Sequence, residues 1–252
     1  MVSPPRFQQY PELRAHFDAV FDLIAAGLGS PQQQRARGFR AVLDVGTGNG
    51  AALAAVVFGT ELRGVATDVG IAPEWLGPPG FAVVRSDAHA LPFMSNTFST
   101  SISLDTIEWL VDPATAFREI ARVTEGALVV VQTDWHSLWF DSDDPETSQE
   151  FSRLFAGPPT LGVSERLAGS VTSIGLPARA HHVHTVRGKS TGPDTYARHL
   201  LGQMREWLVI QRGIVRARRF DTWRTALDRR VEEDAFAFSL DRHVVVVDCA
   251  SA

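Results

Sequence analysis

Apolar residues recur at helical spacing over 11–28, where Leu13, Phe17, Val20, Phe21 and Ile24 fall on one face, and the polar stretch "GSPQQQRARG" that follows reads as a connector. From residue 39 the period changes. Short apolar runs at 41–45, 62–67, 81–84, 100–104 and 127–132 alternate with helix-like segments at 50–58 and 113–123. That alternation predicts a parallel sheet with helices on both faces. After Thr133 the rhythm breaks. The acidic, aromatic stretch "DWHSLWFDSDDPETSQEF" precedes a helix candidate near 163–174, a histidine-bearing strand near 178–186 and a helix candidate at 194–210. Alternation then resumes with a helix near 221–232 and strand candidates near 235–239 and 243–249. The expected fold class is α/β, a doubly wound, mostly parallel sheet with an N-terminal helical segment and a helical insertion before the last strands. Residues 1–38 are read as a helical lid segment and 39–252 as one domain, with insertions near 134–160 and 190–217 covering the ligand edge.

Composition narrows the function classes. With 252 residues, 44% of them apolar, the chain can bury a full core. The single cysteine, Cys249, cannot form an internal disulfide, which fits a reducing compartment. "MVSPPRFQQYPELR" has no apolar signal core and no run is long enough to span a bilayer, so a cytoplasmic protein without a membrane partner is expected. A net charge of −5 gives no general attraction for polyanions and argues against nucleic acid as a partner. The basic cluster Arg212, Arg216, Arg218 and Arg219 reads as a solvated helix end or loop.

The chemistry concentrates in "VLDVGTGNGAAL" (42–53), a strand that ends on an aspartate and then turns into a helix through three glycines. Glycine has no Cβ and tolerates positive φ, so such a turn lets backbone approach a ligand closely. Gly46, Gly48 and Ala51 satisfy G-x-G-x-x-G/A, and Asp68 follows at the end of the next strand candidate, the spacing that holds an adenosine ribose. These features suit a nicotinamide dinucleotide and S-adenosylmethionine equally. Asp44 favours the second, because a carboxylate there would oppose a pyrophosphate but could accept hydrogen bonds from an ammonium group. "SDAHALPF" (86–93) adds an aspartate able to accept from an adenine amino group while the next backbone N–H donates to the ring.

Taken in order and spacing, "VLDVGTGNG", "GVATDVG", "SDAHALPF", "FSTSISLDTIEWLVDPATAFREIARV" and "GALVVVQTDW" resemble the class I S-adenosylmethionine-dependent methyltransferases, in the small-molecule, ubiquinone-biosynthesis-like group. The resemblance covers about residues 40–135 and implies a Rossmann-like methyltransferase fold. It also implies S-adenosylmethionine as cofactor, S-adenosylhomocysteine as product, and a small organic acceptor such as a specialised metabolite. On this resemblance Asp44, Gly46, Thr47 and Gly48 line the methionine end, Asp68 holds the ribose and Val69 packs on adenine. Asp87 and Ala88 read the adenine edge, and Leu104 lies near the sulfonium. Two positions depart from the family pattern: Ser99 where an aspartate is common, and "VTEGAL" (123–128) in place of a proline-glycine turn. Both are expected to alter local turns only.

The remaining candidates are weighed by type. His181, His182 and His184 read as surface histidines and "DSDDPE" (141–146) as a helix start capped by Asp144, so no metal is expected. The resemblance puts Asp134, Trp135 and His136 past the fifth parallel strand, beside the reacting centre. His136 is therefore the first candidate for a general base, with Asp134, Glu108 and His199 behind it. Trp109, Trp135, Trp139 and Trp207 are expected to wall an apolar acceptor pocket. A nicotinamide-dependent oxidoreductase and a protein that binds S-adenosylmethionine without transferring methyl stand as rival readings.

Overall fold

The computed structural model describes residues 10–28, 41–57, 62–70, 81–157, 167, 171, 174–176 and 178–250. Most of the helix candidate near 163–174 lies outside them. The described elements run α1 (Pro11–Leu28), β1 (Ala41–Val45), α2 (Ala51–Val57), β2 (Arg63–Asp68), β3 (Phe81–Arg85), β4 (Phe98–Leu104), a 3₁₀ turn (Ile107–Trp109), α3 (Pro113–Val123) and β5 (Thr124–Phe140). They continue with α4 (Pro145–Ala156), β6 (Ala178–Gly188), α5 (Tyr196–Arg205), a π-helical turn (Glu206–Gln211), α6 (Ala217–Glu232) and β7 (Phe238–Asp248). The helical insertion thus falls between β6 and β7.

The strands form one seven-stranded sheet in the order β3-β2-β1-β4-β5-β7-β6. β1 to β5 pair in parallel, and β7 runs antiparallel to both β5 and β6. Alternate residues point to opposite faces. Leu43, Val45, Leu128 and Val130 pack with Phe117 and Ile120 of α3 on one face. Val42, Ile102, Val129 and Val131 pack with Val20 and Ile24 of α1 and Leu53 of α2 on the other. Burial on both faces explains why the central strands read as unbroken apolar runs. The third cluster gathers Leu138 and Phe140 of β5, Phe238 and Leu240 of β7, Phe151 of α4, Leu200 of α5 and Trp223 of α6 around the sheet's far end.

Two strands run further than their apolar runs. β5 continues to Phe140 by way of a bulge, with pairing to β7 interrupted between Asp134 and Trp139. The Ser137 hydroxyl stitches that bulge, donating to the Asp134 carbonyl at 2.7 Å and accepting from the Asp241 N–H at 2.7 Å. The two strand candidates at the C-terminal end are a single strand, β7. The break expected at its charged residues is absent because Arg242, 2% exposed, is buried and paired with Asp105 at 2.6 Å.

Both family departures are absorbed locally. The buried Ser99 hydroxyl donates to the Ala41 carbonyl at 3.0 Å, and Thr124, at the start of β5, bonds Ser101 at 2.6 Å. In "DSDDPE" Asp144 caps α4 by accepting from the Thr147 N–H at 3.0 Å, while Asp141 and Asp143 hold the two guanidinium ends of Arg230. One arginine thus pairs with two of the run's four carboxylates. Of the basic cluster, Arg219 pairs with Glu150 at 2.6 Å and Arg216 is the N-cap residue of α6.

The histidines of β6 are not all at the surface. His184 is half-buried and meets the buried His16 of α1 through their Nδ1 atoms at 2.9 Å. His181 meets His243 of β7 at 3.0 Å. Among the described residues no group of three or more His, Cys, Asp or Glu is placed to hold a metal, and no helix is long and apolar enough to cross a membrane.

Candidate active site

The sheet order reverses between β1 and β4, the switch point at which ligands of open α/β sheets bind beyond the strands' carboxyl ends. The glycine loop lies there. Gly46, Gly48 and Gly50 all have positive φ, at 74°, 54° and 73°. Gly46 and Thr47 both donate their N–H to the Thr67 carbonyl at the end of β2, at 2.8 and 3.0 Å. A Cβ on Gly46 would overlap the Thr106 side chain, so this position requires glycine twice over.

Asp44, the penultimate residue of β1, is 1% exposed. Burial pushes its carboxyl up to about 7; hydrogen bonds from the Thr47 hydroxyl, at 2.7 Å, and the Leu53 backbone N–H offset part of that, and the Asp68 charge adds to it. A cation delivered beside it would relieve this. Asp68 at the end of β2 reaches across the loop, accepting from the Gly48 N–H with one oxygen and the Gly70 N–H with the other, both at 2.9 Å. Val69 follows, 61% exposed, an open apolar platform next to the loop. On the next strand's end Asp87 accepts from the His89 N–H and meets its ring Nδ1 at 2.6 Å, which holds the Asp87 carboxyl below the usual range. Ala88 is buried beside it. A buried carboxylate beside a glycine turn after β1, a carboxylate at the end of β2 and an exposed apolar face beside it have the chemistry that the methionine, ribose and adenine parts of S-adenosylmethionine would need.

Beyond β4 the chain turns sharply. Leu104, half-buried, ends the strand, and Asp105 follows at φ 50°. Its carboxylate accepts from the Thr133 hydroxyl at 2.8 Å and from Arg242 at 2.6 Å. The Thr106 hydroxyl lies within hydrogen-bonding distance of two carbonyls, Gly46 at 3.1 Å and Leu104 at 3.0 Å. The adjoining 3₁₀ turn carries Glu108 and Trp109 into a cavity of about 880 Å³.

That cavity opens past the end of β4, against the bulge of β5. Trp135 and His136 come from the β5 bulge, Leu154 and Phe155 from α4, Arg198 and His199 from α5, and Trp207 from the π-helical turn. Trp135 packs edge-on against Phe155 at 5.2 Å between ring centroids, and Arg212 lies 4.9 Å over Trp207. The π turn arises because the Arg212 N–H reaches back to the Trp207 carbonyl, a widened winding that often marks functional sites.

The structure gathers three of the four expected tryptophans around this cavity. Trp139 is not among its lining residues; it lies past the bulge, paired with Ser239 and half-exposed. Of the expected acid–base pair, His136 sits on the lining and is exposed. Asp134 is not on that lining, and its carboxylate accepts from the His136 backbone N–H at 3.0 Å. Glu108 differs from both: it is 9% exposed, and its carboxyl oxygens are covered from solvent. Burial first, and the neighbouring Asp105 second, push its carboxyl well above the usual range, against smaller opposing pulls from its own backbone N–H, from Arg242 and from the Thr133 backbone.

Residues 43–130 match the family described as a methyltransferase domain. Over those residues the chain is similar to that family. The sheet as a whole has the Rossmann-like methyltransferase fold. A protein of Bacillus halodurans C-125 described as a candidate methyltransferase superposes with a TM-score of 0.55 at 13% identity, covering 93% of this chain and 99% of that one. Geranyl diphosphate methyltransferase in complex with S-adenosylmethionine gives 0.53 at 14% identity, over 93% and 84%. The (4+2)-cyclase SpnF gives 0.52 at 17%, over 92% and 80%. In sequence, an uncharacterised 37.1 kDa protein of a Streptomyces fradiae transposon is 32% identical over 77 residues, 30% of this chain and 22% of that protein. The match ends within β5, so Trp135, His136 and the helices that complete the cavity lie outside the matched region.

Sequence reading missed Asp105, Thr106 and Arg242. Asp105 and Thr106 sit inside the quoted "SISLDTIEWL", where an aspartate directly after an apolar strand was the available signal. Arg242 left none, since its partner is 137 positions away.

Proposed function

We propose that the protein is an S-adenosylmethionine-dependent methyltransferase acting on a small organic acceptor held in the cavity between the end of β4 and the β5 bulge. The observation that carries this reading is adjacency: the glycine loop and the aromatic cavity flank the same strand end, and Thr106 bonds to one while leading into the other. Asp44, Gly46, Thr47 and Gly48 would hold the methionine end, Asp68 the ribose, Val69 the adenine face, and Asp87 with Ala88 its edge. Leu104 would lie near sulfur, between cofactor and acceptor. Trp109, Trp135 and Trp207 would exclude water from the acceptor, and α1 with the segment 194–210 would cover it.

When bound, S-adenosylmethionine supplies a methyl group already activated on a sulfonium. The protein's own contribution is to align the nucleophile, keep water out and receive a proton. Geranyl diphosphate methyltransferase, solved with S-adenosylmethionine, supports a small-molecule acceptor on this fold. The test is calorimetric binding of S-adenosylhomocysteine, followed by transfer of labelled methyl from S-adenosylmethionine into a panel of small hydroxyl, amine and carbon acids. Micromolar binding with label in an organic product is the expected result. Binding of NAD in place of S-adenosylhomocysteine, or cofactor binding with no label transferred to any acceptor, would overturn it.

A further inference from the structure

We propose that the acceptor is a planar aromatic acid whose carboxylate is held by Arg212 and Arg198, as a handle set apart from the atom that is methylated. The inference rests on the methyltransferase reading above and names the substrate class of its acceptor site.

The helical insertion between β6 and β7 supplies both arginines of the cavity wall, Arg198 on α5 and Arg212 just past the π turn. Sequence reading put Arg212 on a solvated helix end or loop. The structure places it on the wall instead: its guanidinium lies 4.9 Å above the Trp207 ring, and its backbone N–H bonds the Trp207 carbonyl at 3.0 Å. Stacking on an indole leaves the N–H edge of a guanidinium free, and a plane fixed in advance loses less entropy when that edge meets a partner. Such a fork matches a carboxylate through two parallel hydrogen bonds.

Neither arginine has a carboxylate partner among the described residues, whereas Arg122, Arg205, Arg219, Arg230 and Arg242 each have one. Both are exposed, so an anion can reach them. The acidic groups on the same wall are Glu206 and Glu108. Glu206 accepts from the Gln211 amide at 3.3 Å, and Glu108 is covered from solvent, with burial and Asp105 holding its carboxyl towards the neutral form. Two cations therefore stand against one exposed anion, in a chain whose net charge is −5. This local reversal of sign favours an anionic ligand and opposes an ammonium.

The rest of the wall sets the shape. Trp109, Trp135, Trp207, Leu154 and Phe155 border a volume of about 880 Å³, which has room for a fused ring system. An aromatic acid meets both demands with one molecule, its ring against the tryptophans and its carboxylate at the arginines. The carboxylate is a handle because pairing with a guanidinium draws off its electron density and makes it a poorer nucleophile. The handle and the reacting centre also lie on different elements: the arginines belong to the insertion, and Leu104, expected near sulfur, belongs to β4.

The test begins with S-adenosylhomocysteine binding to the parent, Arg212→Gln, Arg212→Lys and the double variant Arg198→Gln with Arg212→Gln. Failure in the parent refutes the cofactor reading, and with it this proposal, before any acceptor analogue is added. Both arginines are exposed and form no ion pair, so the variants keep the fold, which their cofactor binding checks. With S-adenosylhomocysteine bound, calorimetry then compares 2-naphthoate with the near-isosteric 2-naphthylmethanol and 2-naphthylmethylamine. The parent should prefer 2-naphthoate to the alcohol by roughly tenfold or more, the difference made by hydrogen bonds to a charged group, and should bind the amine most weakly. Arg212→Gln should remove most of that preference, Arg212→Lys should keep part of it through charge without the planar fork, and the double variant should lose it entirely. Labelled methyl should enter 6-hydroxy- or 6-amino-2-naphthoate in preference to 2-naphthol and 2-naphthylamine, with the carboxylate left free. Equal affinity for the three analogues, preference for the amine, a preference for 2-naphthoate that survives in the double variant, or a methyl ester as the product would each overturn the proposal while cofactor binding stays intact.

Discussion

Asp44 offers a test of the cofactor pocket that needs no acceptor. Its carboxyl is fully buried and moved from 3.8 to about 7, mainly by the loss of water around it. That displacement corresponds to about 4 kcal/mol, at roughly 1.4 kcal/mol per pH unit. The sign follows from proton binding: between the two values the folded protein holds a proton that the unfolded chain has released. Stability from this group is therefore fully present below about pH 4 and is lost as pH rises through about 7.

Asp44→Asn removes the titration while keeping an oxygen for the Thr47 hydroxyl. Urea unfolding of parent and variant at half-unit intervals from pH 4 to pH 8 should show the variant gaining on the parent by up to about 4 kcal/mol, most of it between pH 4 and 7. Cofactor binding should move oppositely. An ammonium beside Asp44 favours the charged form, so the parent should bind S-adenosylhomocysteine more tightly as pH rises towards 7 and release protons on binding. The variant should lose about 1.5–3 kcal/mol of affinity at neutral pH, with that pH dependence flattened. Parallel stability curves for the two proteins would refute the assignment of burial as the cause. An unchanged affinity in the variant would remove Asp44 from the pocket.

Other outcomes rest on the same geometry. Asp68→Ala should weaken S-adenosylhomocysteine binding by about 1.5–3 kcal/mol in calorimetry while also loosening the loop it bonds through Gly48 and Gly70. Gly46→Ala must push Thr106 aside and strain a positive φ, so thermal unfolding should report a loss of about 1–3 kcal/mol or more together with failed cofactor binding. His16 is held neutral by burial first and by Arg242 and His184 second, down to about 2; its stabilising contribution is present above about pH 6.5 and lost on acidification, and His16→Phe should shrink that acid loss in a pH series of melting curves. Hydrogen exchange should slow in 10–28 and 194–210 when S-adenosylhomocysteine and acceptor bind together, and changes confined to 44–50 and 68–88 would end the lid assignment for those segments.

The parts of this molecule legible from sequence are those where one local pattern has one structural solution. β1 and the glycine loop could be read because a buried strand, an aspartate and three glycines leave little choice of geometry, and β1 lies within the residues expected. Asp144 was legible as a cap because the aspartate–proline pair acts over one helical turn. The failures share another cause. β5 and β7 were cut short because charged and polar residues ended their apolar runs, while in the fold Ser137 stitches the bulge and Asp105 compensates Arg242. The same distance effect hid the contrast between Glu108 and His136. Both are titratable residues in aromatic surroundings, and only the fold makes one of them dry and leaves the other wet.

Thr106 also bears on the order of events in a catalytic cycle. Its hydroxyl ties the Gly46 carbonyl to the turn that carries Glu108 and Trp109, so the loop that would grip the cofactor and the wall that would face the acceptor cannot be set independently. A ligand that fixes one fixes the other. The entropic cost of ordering the wall is then met at the first binding event, and the acceptor meets a surface already in place. Binding of the two ligands should therefore be cooperative: acceptor affinity should rise once S-adenosylhomocysteine is bound, by the same factor in either direction, and Thr106→Val should abolish that factor while each ligand still binds alone.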